Sequence, residues 1–272
     1  MIKKIFLIIS LSLIIISCNS KKIKNTEKVE SLPPEVLYIQ AMDNVKNNKY
    51  TEAIVIFEAI EKKYPLSNEA VQAQIMSGFI DYLTMEYESA IFKFNRIIQK
   101  YPSHKNIDYV YYMKAICYFE QINHEELDNN SNIQSLKSFN QILTRFPNSE
   151  YAKDSKMKIV LVKENMAAKH MDVGRFYMEN NKFMAAMNRF KKVIDEYSTS
   201  KFTPEALYRL VEIYYKLGMI EDSKKTASVI AYNYPDSKWY NLSYNLITEE
   251  KNNKSFIGKI KKIINKKDGK KP

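Results

Sequence analysis

The feature that most constrains the fold of this chain is a pattern that recurs five times. Ala53 and Phe57 lead to Tyr64-Pro65; Ala90 and Phe94 to Tyr101-Pro102; Phe139 to Phe146-Pro147; Ala186 and Phe190 to Tyr197-Ser198; Ala227 to Tyr234-Pro235. In three of the units a small residue stands twelve positions before the alanine: Ala41 before Ala53, Gly78 before Ala90, Gly174 before Ala186. Each choice has a physical reason. Small residues let two helices approach closely, an aromatic four positions on fills the groove on the same helix face, and proline ends a helix that it cannot continue.

This pattern resembles the tetratricopeptide repeat, a helical hairpin that buries its apolar face only by stacking on its neighbours. The fold class predicted is all-α, a superhelical α-solenoid of about five hairpins. Pro65, Pro102, Pro147, Ser198 and Pro235 follow one another at 37, 45, 51 and 37 residues, against ~34 for that repeat, so two junctions carry insertions. One is placed as a loop at Asn123 to Asn132; the other, where Met157, Val160, Leu161, Glu164 and Ala168 fall at helical spacing, reads as a lengthened helix. Ser67, Ser149 and Thr203, the last followed by Pro204, are the expected N-caps. Phe57, Phe94, Phe139 and Phe190 are read as packing residues, not ligand contacts, and most aromatics and methionines of the stripes as core.

Composition agrees with helices, because only five glycines punctuate 272 residues. The formal charge of +11 is unevenly distributed: Lys3 and Lys4 sit at the amino terminus, and nine of the lysines fall between Lys251 and Pro272 against one acid, Asp268. The body is nearly neutral, so bulk charge gives no footprint for nucleic acid. The three histidines, His104, His124 and His170, lack metal-ligand spacing, and no glycine-rich phosphate loop occurs. No metal, no cofactor and no catalysis are expected; His104 reads as a surface residue.

The amino terminus has a basic start, Lys3-Lys4, and an apolar run from Ile5 to Ile16 interrupted by Ser10 and Ser12. Such a run gives about 18 Å of helix, short of the ~30 Å hydrocarbon core, and reads as a signal peptide over residues 1–17. Its end, Ile15-Ile16-Ser17-Cys18, resembles the bacterial lipobox. That resemblance implies cleavage between Ser17 and Cys18, with Cys18 carrying S-diacylglyceryl and N-acyl groups; the thiolate is the nucleophile and Ser17 must be small. The covalent lipid is the only added group expected, and several acyl chains anchor stably where one does not. Asn19, in place of the aspartate that favours inner-membrane retention, points to the outer membrane. Residues 18–33 read as a polar tether. Cys117 remains as the only other thiol and reads as a small core residue. At the other end, residues 248–272 form a basic tail in which Phe256, Ile257, Ile260, Ile263 and Ile264 recur at helical spacing, consistent with an amphipathic or disordered segment that meets lipid or another subunit.

Further segments go beyond the generic repeat. Tyr64-Pro65-Leu66, then Asn106 to Val110 with Tyr112-Met113, then Phe146 to Ala152, Asn188-Arg189, and Tyr234 to Tyr240 resemble, in that order, the BamD family of outer-membrane assembly lipoproteins. The resemblance implies a lipid-anchored protein of the outer membrane, facing the periplasm, within the machinery that inserts β-barrels. Repeats over residues 34–147 would offer a groove to unfolded outer-membrane proteins, with Tyr64 beside it and Leu66 replacing the family's aromatic. Repeats over 148–247 would dock on the periplasmic domains of the BamA subunit through Arg189, beside other lipoproteins of the complex. Two other classes stay open at this point: another envelope repeat lipoprotein bound to peptidoglycan or division, and a lipid or nucleic-acid binder working through the tail.

Overall fold

The computed structural model describes residues 32–122 and 130–248, and every regular element among them is a helix. The chain forms two compact units, one up to Lys114 and one from Ala115. The boundary lies inside a helix, whereas the functional division read from the sequence follows residue 147.

The first unit contains α1 (Pro34–Lys46), α2 (Tyr50–Lys63), α3 (Asn68–Leu83), α4 (Tyr87–Lys100) and the start of α5 (Ile107–Glu120). Each of α1, α2 and α3 packs on the next, and α1 also meets α3. Leu37, Ala41, Ala53, Phe57, Ile60, Ala70, Ala73 and Ile80 form its core. The second unit continues with α6 (Asn130–Arg145), α7 (Glu150–Glu179), α8 (Phe183–Glu196), α9 (Thr203–Lys216), α10 (Ile220–Asn233) and the last of the described helices, α11 (238–248). Its main cluster includes Val162, Met166, Met171, Ala186, Phe190 and Val193, and a second joins Leu207, Val211, Ala227 and Ile230.

The repeat positions do what their chemistry predicts. Phe57, Phe94, Phe139 and Phe190 are all 0% exposed. A Cβ on Gly78 would stand 2.7 Å from the Phe94 ring, and one on Gly174 2.5 Å from the Phe190 ring, so only glycine admits these aromatics at this helix separation. Tyr64, Tyr101, Tyr197 and Tyr234 cap the carboxy ends of α2, α4, α8 and α10. The hydroxyls of Ser67 and Ser149 accept the backbone N–H of Ala70 and Tyr151 at the starts of α3 and α7. Within each described hairpin the turn is made by one residue at positive φ: Asn48, Met85, Asn181 and Gly218.

Three expectations are corrected. Thr203 does not cap α9: the helix starts after Phe202, and the Thr203 hydroxyl instead donates to the carbonyl of Tyr197. Asn130 to Asn132 belong to α6, not to a loop; residues 123–129 lie outside the described ones. Leu32 is already packed on the first core, so the tether ends before it. The lengthened helix is real, since α7 runs 30 residues. Its Met157, Val160 and Leu161, however, are 55, 58 and 53% exposed and do not join the core.

The extra length of α7 has a local use. Unit four has Ser198 where the others have proline, and there Glu164 holds the turn instead. Its carboxylate accepts the Ser200 hydroxyl at 2.9 Å and the Lys201 backbone N–H at 3.0 Å.

Candidate docking surfaces

In the first unit the Tyr64-Pro65-Leu66 turn ends α2. Tyr64 is half-buried, and its hydroxyl donates to the Leu32 carbonyl at 2.8 Å. Its polar end is therefore committed inside the unit. Leu66 is 99% exposed two residues later. Around the α3–α4 turn, half-buried aromatics cluster: Phe79 stacks on Tyr82 at 6.1 Å between centroids, and Tyr82 meets Tyr87 at 6.0 Å. Half-buried aromatic side chains offer large apolar contact area at low entropic cost. Beneath them Asp81 is locked by the Lys93 ammonium at 2.8 Å and the Ser89 hydroxyl at 2.6 Å, tying α3 to α4.

In the second unit the arginines divide by what holds them. Arg175, on α7, pairs with Asp172 on its own helix and with Glu205 on α9 at 2.9 Å. Arg209 pairs with Glu205 and with Glu212 at 2.8 Å, and its guanidinium lies over the rings of Tyr208 and Trp239 at 5.7 and 5.6 Å. Both are structural. Burial, with Glu212 beside it, pushes the Tyr208 phenol up to about 12, so that ring stays neutral.

Arg189, on α8, differs. It is half-buried and has no carboxylate partner among the described residues; its contact there is His170, whose Nδ1 lies 3.5 Å from a guanidinium nitrogen. His170 is 8% exposed and faces the Tyr197 ring at 5.9 Å. Burial, with Lys192 and Arg189 nearby, lowers its pKa below the ordinary value, and a neutral ring can accept from the guanidinium. The fork of Arg189 is left able to take a carboxylate from outside. The sequence singled out Arg189 but not His170, nineteen residues earlier, since only the pairing of α7 with α8 brings them together.

His104 is half-buried rather than a plain surface residue, and its Nδ1 accepts the Asn106 backbone N–H at 3.2 Å. Cys117 is 0% exposed. Among the described residues no group of His, Cys, Asp and Glu could hold a metal ion, and no helix is long and apolar enough to cross a membrane. Ser17, Cys18 and residues 249–272 of the basic tail lie outside the described residues.

Residues 30–241 match the family YfiO, described as outer membrane lipoprotein. The chain is 37% identical over 232 residues to the outer membrane protein assembly factor BamD of Caulobacter vibrioides, covering 85% of this chain and 76% of that protein. It is 38% identical over 242 residues to the BamD of Rickettsia prowazekii, covering 89 and 95%, and 29% identical to that of Neisseria meningitidis, covering 86 and 92%. Among solved structures, a thermophilic TPR protein of Thermus thermophilus aligns over 79% of this chain and all of its own, at 14% identity and a TM-score of 0.35.

Proposed function

This chain belongs to the BamD family of outer membrane protein assembly factors, and from that premise we propose that it is a lipid-anchored scaffold of the β-barrel assembly complex, performing no chemistry of its own. Its first repeats hold unfolded outer-membrane proteins and its last repeats dock on the periplasmic domains of BamA, alongside other lipoproteins of the complex. Cys18 carries the anchor, which fixes the body to the outer membrane on its periplasmic side.

The observation that carries the docking role is Arg189. Arg175 and Arg209 are each engaged by carboxylates within the unit, while Arg189 is oriented by His170 and keeps its donors for a partner. A bidentate pair with a partner carboxylate excludes lysine as a substitute. The substrate role is supported by the half-buried aromatic cluster of the first unit and by Leu66, which suit side chains of an extended, alternating apolar segment.

The test is the affinity of the purified chain for the BamA periplasmic domains, measured with Arg189→Glu and Arg189→Lys. Loss of the pair weakens binding at least tenfold, about 1.4 kcal/mol, in both variants. Unchanged binding in Arg189→Glu removes Arg189 from the interface. Crosslinking in cells from a photoreactive residue at Tyr64 tests the substrate role; unfolded barrel precursors are the expected adducts, and their absence refutes it. Radiolabelled palmitate incorporation that persists in Cys18→Ser refutes the anchor.

A further inference from the structure

A guanidinium offers a carboxylate two edges. The end-on edge presents Nη1 and Nη2, and the side-on edge presents Nε and Nη2, because Nη1 stands on the Cδ side of the plane. In Arg189 one of these nitrogens is already engaged. Nη1 lies 3.5 Å from Nδ1 of His170, and no other hydrogen bond or ion pair holds the side chain among the described residues. Arginine has donors only, so the contact requires the tautomer in which Nδ1 is bare and Nε2 carries the proton.

A bond of 3.5 Å is long, and it steers the guanidinium only if its acceptor stays put. His170 is well held. Its side chain, on α7, is 8% exposed, and the imidazole faces the Tyr197 ring at 5.9 Å between centroids. Tyr197 is itself 6% exposed and packs in the core of the second unit with Met166 and Phe190. The acid farther along α8, Glu196, is taken by the Lys192 ammonium at 3.7 Å. The imidazole is thus a fixed post, and the guanidinium leans on it by one corner.

We infer that Arg189 takes its partner's carboxylate side-on, through Nε–H and one Nη2–H, and that His170 is the residue that positions it, by holding Nη1. The inference rests on the reading of Arg189 as the docking residue, and adds the edge that is used and the group that sets it. A side-on pair leaves the His170 bond intact. An end-on pair would ask Nη1 to serve the ring and the partner together. Holding one nitrogen in the free protein also removes part of the rotamer freedom that arginine would otherwise lose on docking.

The chain has five arginines, Arg96, Arg145, Arg175, Arg189 and Arg209. In the full chain, in detergent and with isotope-labelled arginine, the side-chain Nε–H signals are therefore few, and the one that vanishes in Arg189→Lys belongs to Arg189. Adding the BamA periplasmic domains is expected to move that proton downfield and slow its exchange with water. Affinity for the same domains gives the second readout. His170→Leu, which keeps apolar bulk against Tyr197, should weaken docking about fivefold. His170→Asn, whose side-chain oxygen can stand where Nδ1 stood, should keep the parent affinity. In an Arg189→Leu background His170→Leu should have no further effect. Circular dichroism checks that each variant folds. An Arg189 Nε–H signal that docking leaves unmoved overturns the inference, as does docking indifferent to His170→Leu, equal weakening by His170→Leu and His170→Asn, or the same loss without Arg189. Each of these results leaves the docking role standing if Arg189→Glu still weakens binding. Docking indifferent to Arg189→Glu is the distinct result that removes the arginine from the interface, and the inference with it.

Discussion

Replacing Gly174 by alanine sets two well-characterised effects against each other. Alanine is the better helix former by about 1 kcal/mol in a helix interior, and Gly174 lies inside the 30 residues of α7. At an open site the substitution would stabilise. Here the added Cβ would stand 2.5 Å from Cε1 of Phe190 and 2.9 Å from both Cδ1 and Cζ. That ring is 0% exposed and hemmed by Met166, Met171, Ala186 and Val193, so it has no free end to swing aside. Overpacking of this kind costs about 3 kcal/mol at the upper end of its usual range, and the propensity gain offsets about 1 kcal/mol. The net expectation is a loss of ~2 kcal/mol, visible as a lower urea midpoint at unchanged slope in unfolding of the full chain followed by circular dichroism. A double-mutant cycle with Phe190→Leu should return a coupling of about 1–3 kcal/mol, because the smaller side chain makes room for the methyl. If Gly174→Ala raised stability, or if its effect were independent of Phe190, the view that glycine sets the α7–α8 distance would be refuted.

Three further outcomes follow from the same coordinates. Met85 sits at φ 64 in the α3–α4 turn with 74% exposure, so Met85→Asn should stabilise by about 1 kcal/mol in urea unfolding, with little packing lost. Asp81→Ala should cost ~2–3 kcal/mol by leaving the Lys93 ammonium without its carboxylate, and adding Lys93→Met should recover part of it; equal losses in the single and double variants would deny the pairing. The pKa of His170 is lowered by burial and by neighbouring Lys192 and Arg189, so between its folded value and the ordinary 6.5 the unfolded chain binds more protons. Stability should therefore fall as pH drops through that window and level off below the folded pKa, and His170→Asn should flatten the fall in a pH series of thermal unfolding.

The hairpins were legible because glycine, alanine and phenylalanine recur at fixed spacing for a geometric reason, and the chain has no other way to place Phe94 against Gly78 or Phe190 against Gly174. The long helix was legible from the spacing of Met157, Val160, Leu161 and Glu164. Its exposure was not, because periodicity identifies a sticky face and says nothing about whether a neighbour covers it. Glu164 shows the same limit: its spacing marks helix, but its bond to Ser200, 36 residues on, exists only because the fold brings that turn to α7. The ion pairs of Arg175 and Arg209 were invisible for a related reason. Read alone, Arg209 and Glu205 are an ordinary i, i+4 pair on a solvated face; only the packed unit brings Arg175 across from α7 and Trp239 up from α11. Arg189 was found by resemblance and His170 by geometry.

The bond between the Tyr64 hydroxyl and the Leu32 carbonyl has a mechanical consequence. A tug on the stretch preceding Leu32 enters the folded body at the far end of α2 as well as at the first turn of α1. The first hairpin is thereby loaded across its base, where its two helices resist together, and is spared being peeled open one helical turn at a time. Tyr64→Phe keeps the ring and removes this catch, so it should lower the force at which the first repeats open when the molecule is pulled by its amino end.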